Sequence, residues 1–157
     1  MLANKIRPSI NEIAPFIKDS LDDGKKVKLT VTGMSMYPLL RDCTDNVIID
    51  KCELCKKYDV VLYRRPNGRY VFHRILKVKG DSLVIAGDNE TVKECGISTD
   101  CCIGKMVAFE RFDKMNSTRT WWYVVYSRLW VWFFPLRRPM GKVLGALAKL
   151  RAYLLKK

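Results

Sequence analysis

The feature that most constrains the fold is a rhythm of short apolar, β-branched and aromatic runs, each closed by turn residues. The runs 27–32, 46–50, 59–64, 70–78, 82–86 and 103–110 have this texture and read as strands. Pro66-Asn67-Gly68 and Lys79-Gly80-Asp81 supply tight turns between neighbours. Six short strands so closely spaced argue for a mainly β body, a coiled sheet or partly closed barrel, rather than parallel βαβ units. Ahead of them, Ile10, Ile13, Ala14, Ile17 and Leu21 fall on one helical stripe. Ser9 with Glu12 has the spacing of a capping box, Pro15 argues for a kink or a later start, and Asp22-Asp23-Gly24 ends the segment. At 157 residues the chain is long enough to bury a real core as one domain, and it shows no internal repeat or low-complexity linker.

The texture changes near residue 114, dividing the chain into a 1–113 body and a 114–157 tail. The formal net charge of +13 is unevenly spread. No acidic residue follows Asp113, whereas Lys114, Arg119, Arg128, Arg137, Arg138, Lys142, Lys149, Arg151, Lys156 and Lys157 are all basic. The body is therefore close to balance and the tail strongly cationic, which directs the tail toward an anionic partner. All four tryptophans lie in 121–134. A helix of that length spans roughly 21 Å against a hydrocarbon core of roughly 30 Å, and Arg128 sits in its middle. Trp and Tyr favour the headgroup level, so an interfacial position is expected. In 140–155, Met140, Val143, Leu144, Leu147, Leu150 and Leu154 take one helical side and Lys142, Lys149 and Lys156 the other, with Arg151 left to snorkel. That is the pattern of an amphipathic helix on anionic membrane lipids; an ordinary packed helix with a solvated basic face is the alternative. Nucleic acid ranks last as a partner, because no helix-turn-helix is visible and the aromatics are bunched rather than interleaved with the charges.

Residues 1–30 hold no apolar run long enough to cross a bilayer and no secretory signal. A peripheral protein on the cytoplasmic face is the simplest expectation. An anchored protein with its body outside would follow if 120–136 crossed a thin bilayer. Of the six cysteines, Cys52 and Cys55 have the C-x-x-C spacing of zinc and redox sites, and Cys101-Cys102 offers two more sulfurs. Adjacent cysteines make an awkward half-site, so reduced thiols are expected, with zinc and disulfides as the alternatives. No cofactor and no metal are expected to take part in the chemistry.

Gly33-Met34-Ser35-Met36-Tyr37-Pro38 follows an expected strand. A serine between a permissive glycine and a rigid proline sits where its hydroxyl can be presented. Serine needs a base to attack at neutral pH, and the chain has a single histidine, His73. A carboxylate to orient that histidine would complete a triad. Asp88, in Gly87-Asp88-Asn89-Glu90, and Glu94 both follow the 82–86 strand.

In order along the chain, Gly33-Met34-Ser35-Met36-Tyr37-Pro38, Tyr58-Asp59-Val60-Val61, His73-Arg74, Gly87-Asp88-Asn89 and Ile103-Gly104-Lys105-Met106-Val107 resemble the conserved blocks of type I signal peptidases. The likeness is to the archaeal and endoplasmic-reticulum branch, which pairs serine with histidine; the bacterial branch and the related self-cleaving repressors have lysine where His73 stands. It covers roughly 27–110, the body and not the tail. It implies the coiled β-sheet those peptidases share, with an N-terminal helix and here a C-terminal amphipathic tail. It implies a serine endopeptidase that cuts a leader or signal-type peptide of a preprotein after small side chains. Ser35 would attack, His73 would take its proton, and the backbone around Gly33, Met34 and Ser35 would receive the oxyanion, with the Ser35 N–H as the natural donor. Substrate would bind as an added strand at a sheet edge.

Two departures stand out. Where the family has paired aspartates after the Gly-Asp-Asn block, this chain has Lys93-Glu94. Asp88 is favoured to orient His73, with Glu94 kept as the replacement; the extra methylene would need a slightly more distant backbone. The family's membrane-spanning helix ahead of the serine is also missing from this sequence. A peptidase-fold protein that binds peptides or a partner at the membrane without cutting is the alternative function.

Overall fold

The computed structural model describes residues 9–137. Helix α1 (Ile10–Asp22) is followed by strands β1 (Val27–Thr30), β2 (Asn46–Lys51), β3 (Val60–Arg64), β4 (Tyr70–Lys79), β5 (Ser82–Ala86), β6 (Glu94–Ser98), β7 (Cys102–Arg111) and β8 (Lys114–Ser117), then helix α2 (Trp121–Trp132). All eight strands join one antiparallel sheet in the order β1-β2-β7-β3-β4-β5-β6, with β8 on β7. The sheet is mainly β as expected, but it does not close into a barrel. Strands β1 and β6 are its two ends.

Strand β3 shows why the sheet sits where it does. Its sequence Val-Val-Leu-Tyr-Arg is buried at four consecutive positions. Alternate side chains of a strand point to opposite faces, so Val60 and Leu62 enter one apolar cluster while Val61 and Tyr63 enter another. The first cluster takes Ile17 and Leu21 of α1, Met36, Leu39 and Leu40 of the chain after β1, and Phe109 of β7. The second takes Ile75, Leu83, Ile85 and Ile97. At the start of α1 the Glu12 carboxylate accepts the Ser9 N–H at 2.8 Å, satisfying one of the unpaired donors of a helix start. The helix runs from Ile10 through Pro15 without a later start.

Two strands escape the apolar rhythm. In β6 only Ile97 is buried, and Gly96 adopts a φ of +79°, so no alternation of apolar residues announces this strand. Strand β8 forms a hairpin with β7 whose two turn residues, Phe112 and Asp113, both have positive φ, 53° and 58°. That is the backbone of a tight two-residue hairpin, but without the Asn-Gly or Asp-Gly pair that signals one in sequence. The hairpin also stitches the expected body and tail together across the 113/114 boundary. The expected 121–134 helix ends at Trp132. The amphipathic helix expected over 140–155 lies outside the described residues.

Candidate active site

His73 enters the site through the strand period. In the β3–β4 register it lies opposite Val61, so both face the second cluster beside Tyr63. Its side chain is 1% exposed. Nδ1 lies 3.4 Å from the Tyr63 hydroxyl and 3.4 Å from Glu94 Oε1. Glu94, the first residue of β6, is itself held: Tyr63 Oη donates to Oε1 at 2.8 Å, and Arg65 donates from Nε to Oε2 at 2.8 Å and from Nη2 to Oε1. Partial burial works against the Glu94 charge, but the hydrogen bonds from Arg65 and Tyr63 hold its carboxyl below the ordinary value. Burial, together with Glu94, raises the Tyr63 phenol and keeps it a donor. Burial lowers the His73 pKa below its ordinary 6.5; Arg65 adds to the effect and the charges of Glu90 and Glu94 oppose it. The imidazole is neutral at neutral pH.

The other nitrogen, Nε2, is buried without a hydrogen-bond partner among the described residues. Glu90 Oε1 lies 3.5 Å away. Glu90 belongs to the tight turn 87–90, whose Gly87 N–H reaches Glu90 Oε2 at 3.2 Å. On that same turn Asn89 N–H donates to the Ser35 carbonyl at 2.7 Å. Gly87 packs so closely on the Ser35 carbonyl that a Cβ there would sit 2.6 Å from the oxygen. Ser35 and His73 thus border one turn, Ser35 by its main chain and His73 by its ring.

Ser35 itself is half-buried in the turn after β1. Gly33 opens this turn with a φ of +89°, a conformation that costs a side chain dearly. The Gly33 N–H is committed to Asp42 Oδ1 at 2.8 Å, so Gly33 supplies no free donor. Met34 offers its carbonyl to Tyr37 N–H and leaves its side chain half exposed. The Ser35 N–H is bonded to none of the described residues.

Asp88 has a different role from the one favoured in sequence. Its two oxygens are taken by Arg74, Nε to Oδ1 at 2.7 Å and Nη2 to Oδ2 at 2.7 Å. Because β4 alternates, Arg74 faces away from His73, toward α2, where Nη1 also donates to the Ser127 hydroxyl at 2.9 Å. Tyr126 Oη donates to Asp88 Oδ2 at 3.2 Å and Trp130 Nε1 to the Asp88 carbonyl at 2.9 Å. Arg137 completes the clamp on the turn, donating to the carbonyls of Gly87 and Glu90 at 3.3 and 3.2 Å. The carboxylate at His73 Nδ1 is therefore that of Glu94, and Asp88 anchors the turn to α2.

Sequence reasoning gave no role to Tyr63, Arg65, Arg74 or Glu90. The spacing of Tyr63 on β3 and Arg65 just past its end, two apart in extended chain, was the available signal. One atom each of His73, Glu90 and Glu94 lie within 4.8 Å of one another, a possible cation set. The Arg65 guanidinium bound to Glu94 opposes a cation there.

Beside Ser35 runs a cleft of about 470 Å³, lined by Ile10 and Ile13 of α1, by all of β1 except Val27, and by Tyr70, Val71 and Phe72 at the start of β4. Strand β1 pairs only with β2, and β5 joins β4 only from Arg74 onward. Both walls of the cleft thus include strand segments paired on one edge only. No protein-family model matches this chain, and no curated protein matches it.

Proposed function

We propose that the chain is a serine endopeptidase of the signal-peptidase kind, with Ser35 as nucleophile, His73 as base and Glu94 as the acid that orients it. The observation that carries this reading is the division of labour at His73. Nδ1 faces a carboxylate clamped by Tyr63 and Arg65, while Nε2 is buried, unbonded among the described residues and 3.5 Å from Glu90, on the turn whose Asn89 bonds the Ser35 carbonyl. A buried polar atom without a partner calls for an explanation, and catalytic hydrogen bonds often close only when substrate arrives.

In the proposed reaction Ser35 Oγ attacks the scissile carbonyl carbon and its proton passes to His73 Nε2. The oxyanion meets the Ser35 N–H. The imidazolium, steadied by Glu94, then protonates the leaving amine as the C–N bond breaks. Water, deprotonated by the same nitrogen, hydrolyses the acyl-enzyme and regenerates Ser35. A leader or signal-type peptide would lie extended in the cleft, adding a strand to β1 or to the first residues of β4.

Attachment to anionic membrane lipids through the tail belongs to the same proposal. Trp121, Val125, Leu129 and Trp132 of α2 are all exposed and follow a three-to-four-residue spacing along one side, and Arg128 lies beside them. No helix of the described residues is long and apolar enough to cross a membrane. Co-sedimentation with phosphatidylglycerol vesicles, lost when Trp121 and Trp132 are replaced by Ser, tests this part.

One observation favours the non-cutting reading: Ser35 makes no hydrogen bond to Nε2, and Glu90 Oε1 lies 3.5 Å from it. Incubating the full chain with signal-type peptides decides. Cleavage abolished in both Ser35→Ala and His73→Ala supports the peptidase. Tight peptide binding without cleavage in wild type supports the binder.

A further inference from the structure

A second group of reactive side chains lies outside the candidate active site. Cys55 belongs to the buried cluster of Val61, Tyr63 and Ile75, and Cys52, Cys101 and Cys102 pack against it. Cys52 and Cys55 come from the loop joining β2 to β3, while Cys102 opens β7 opposite Tyr63. The sulfurs of Cys52 and Cys55 are 3.4 Å apart. Hydrogen bonds from the Cys102 thiol first, and then from Cys52, hold the Cys55 thiol far below its ordinary value, while Cys52 and Cys102 are pushed up. Cys55 is the sulfur that both neighbouring thiols can hydrogen-bond, which favours its ionised form. Among the described residues, three ligand atoms come within 4.8 Å of one another at His73, Glu90 and Glu94 and not at these cysteines.

We propose that Cys52 and Cys55 form a reversible disulfide, with Cys55 as the sulfur that meets a hydroperoxide and Cys52 as the thiol that resolves it. The Cys55 thiolate attacks one peroxide oxygen, the O–O bond breaks, and Cys55 becomes a sulfenic acid as hydroxide departs. The Cys52 sulfur then attacks the Cys55 sulfur; the S–S bond forms, the S–O bond breaks and water leaves with the Cys52 proton. Two thiols lose two electrons and one peroxide gains them. Cys55 is only 9% exposed, which suits an oxidant as small as hydrogen peroxide. Cys52 resolves in preference to Cys102 because both partners then lie in one irregular loop. Closing the bridge disturbs no ladder, whereas Cys102 is held in register by β3.

The proposal is independent of the peptidase reading, and the chain carries its own assay. Lys51 and Lys56 flank the pair, so cutting after lysine releases 52–56 with both thiols, while Cys95, Cys101 and Cys102 travel together on 94–105. The full wild-type chain is reduced, freed of reductant, treated with hydrogen peroxide, alkylated, digested and weighed by mass spectrometry. The expected product is 52–56 lighter by two hydrogens and without alkyl groups, taking up two after reduction. In Cys52→Ser, Cys55 is expected to persist as a sulfenic acid captured by a dimedone reagent. A wild-type 52–56 peptide that still takes two alkyl groups after peroxide would overturn the proposal. So would a main product in which 52–56 is cross-linked to 94–105.

Discussion

Arg74 and Asp88 face each other in a two-point ion pair, both contacts 2.7 Å, with side chains 0% and 1% exposed. The pair is where the sheet, the turn beside Ser35 and helix α2 meet. Arg74 follows His73 in sequence and Glu90 follows Asp88 by two, so the strand and the turn approach each other at two points. His73 meets Glu90 on one side, and Arg74 meets Asp88 on the other. The Asp88 pair holds the turn from which Asn89 bonds to Ser35.

Breaking that pair from either side leaves a buried charge alone. Arg74→Met and Asp88→Asn are each expected to destabilise the chain by about 3–5 kcal/mol, measured by urea unfolding. All four tryptophans lie in α2, and Trp130 is bonded to the Asp88 carbonyl. Intrinsic fluorescence therefore reports α2, and Asp88→Asn is expected to red-shift it before the far-ultraviolet signal of the sheet is lost.

The two acids separate cleanly if Glu94 serves His73. Glu94→Gln is expected to reduce kcat by about 10³–10⁴-fold, since the wrong imidazole tautomer would then be favoured. Tyr63→Phe removes one hydrogen bond to the charged Glu94, and a loss of about tenfold in kcat with KM unchanged is expected. Steady-state kinetics on a cleaved peptide measures both. A Glu94→Gln enzyme of undiminished kcat would remove Glu94 from the mechanism.

The acid limb of kcat/KM should fall below pH 6.5, because burial lowers the His73 pKa and only the neutral ring accepts the Ser35 proton. Glu90 and Glu94 raise that pKa and Arg65 lowers it. Glu90→Gln removes one raising charge, so it is expected to move the limb to still lower pH. The same lowering means the unfolded chain binds the His73 proton more readily than the folded one. This contribution to stability is present above pH 6.5 and is lost as pH falls toward the folded-state value. A pH–rate profile of wild type and Glu90→Gln checks the direction.

The β7–β8 hairpin carries removable strain. Phe112 and Asp113 both occupy positive φ, which a side chain adopts at a cost. Replacing them by Asn-Gly is expected to stabilise the chain by roughly 1 kcal/mol net of the lost stacking of Arg41 on Phe112. A rise in Tm by calorimetry is the readout.

Much of the sheet was legible because its central strands bury alternate or consecutive apolar residues, a local pattern that depends on no distant partner. Strand β5 matches its expected bounds, and β2, β3, β4 and β7 differ by a residue or so at an end. Strands β6 and β8 were not legible: one is a polar edge strand, and the other follows a turn built from residues that rarely make one. The single histidine and the glycine-flanked serine were visible as candidates because their residue types are scarce and chemically marked. Which carboxylate faces which side of β4 was not. Asp88 and Glu94 are both acids shortly after one strand, and only the fold of the 87–90 turn sends the first to Arg74 and leaves the second to His73. Local pattern determines strands and marks reactive side chains. The pairing of charges across segments is decided when burial makes each one find a partner, and that happens only in the tertiary structure.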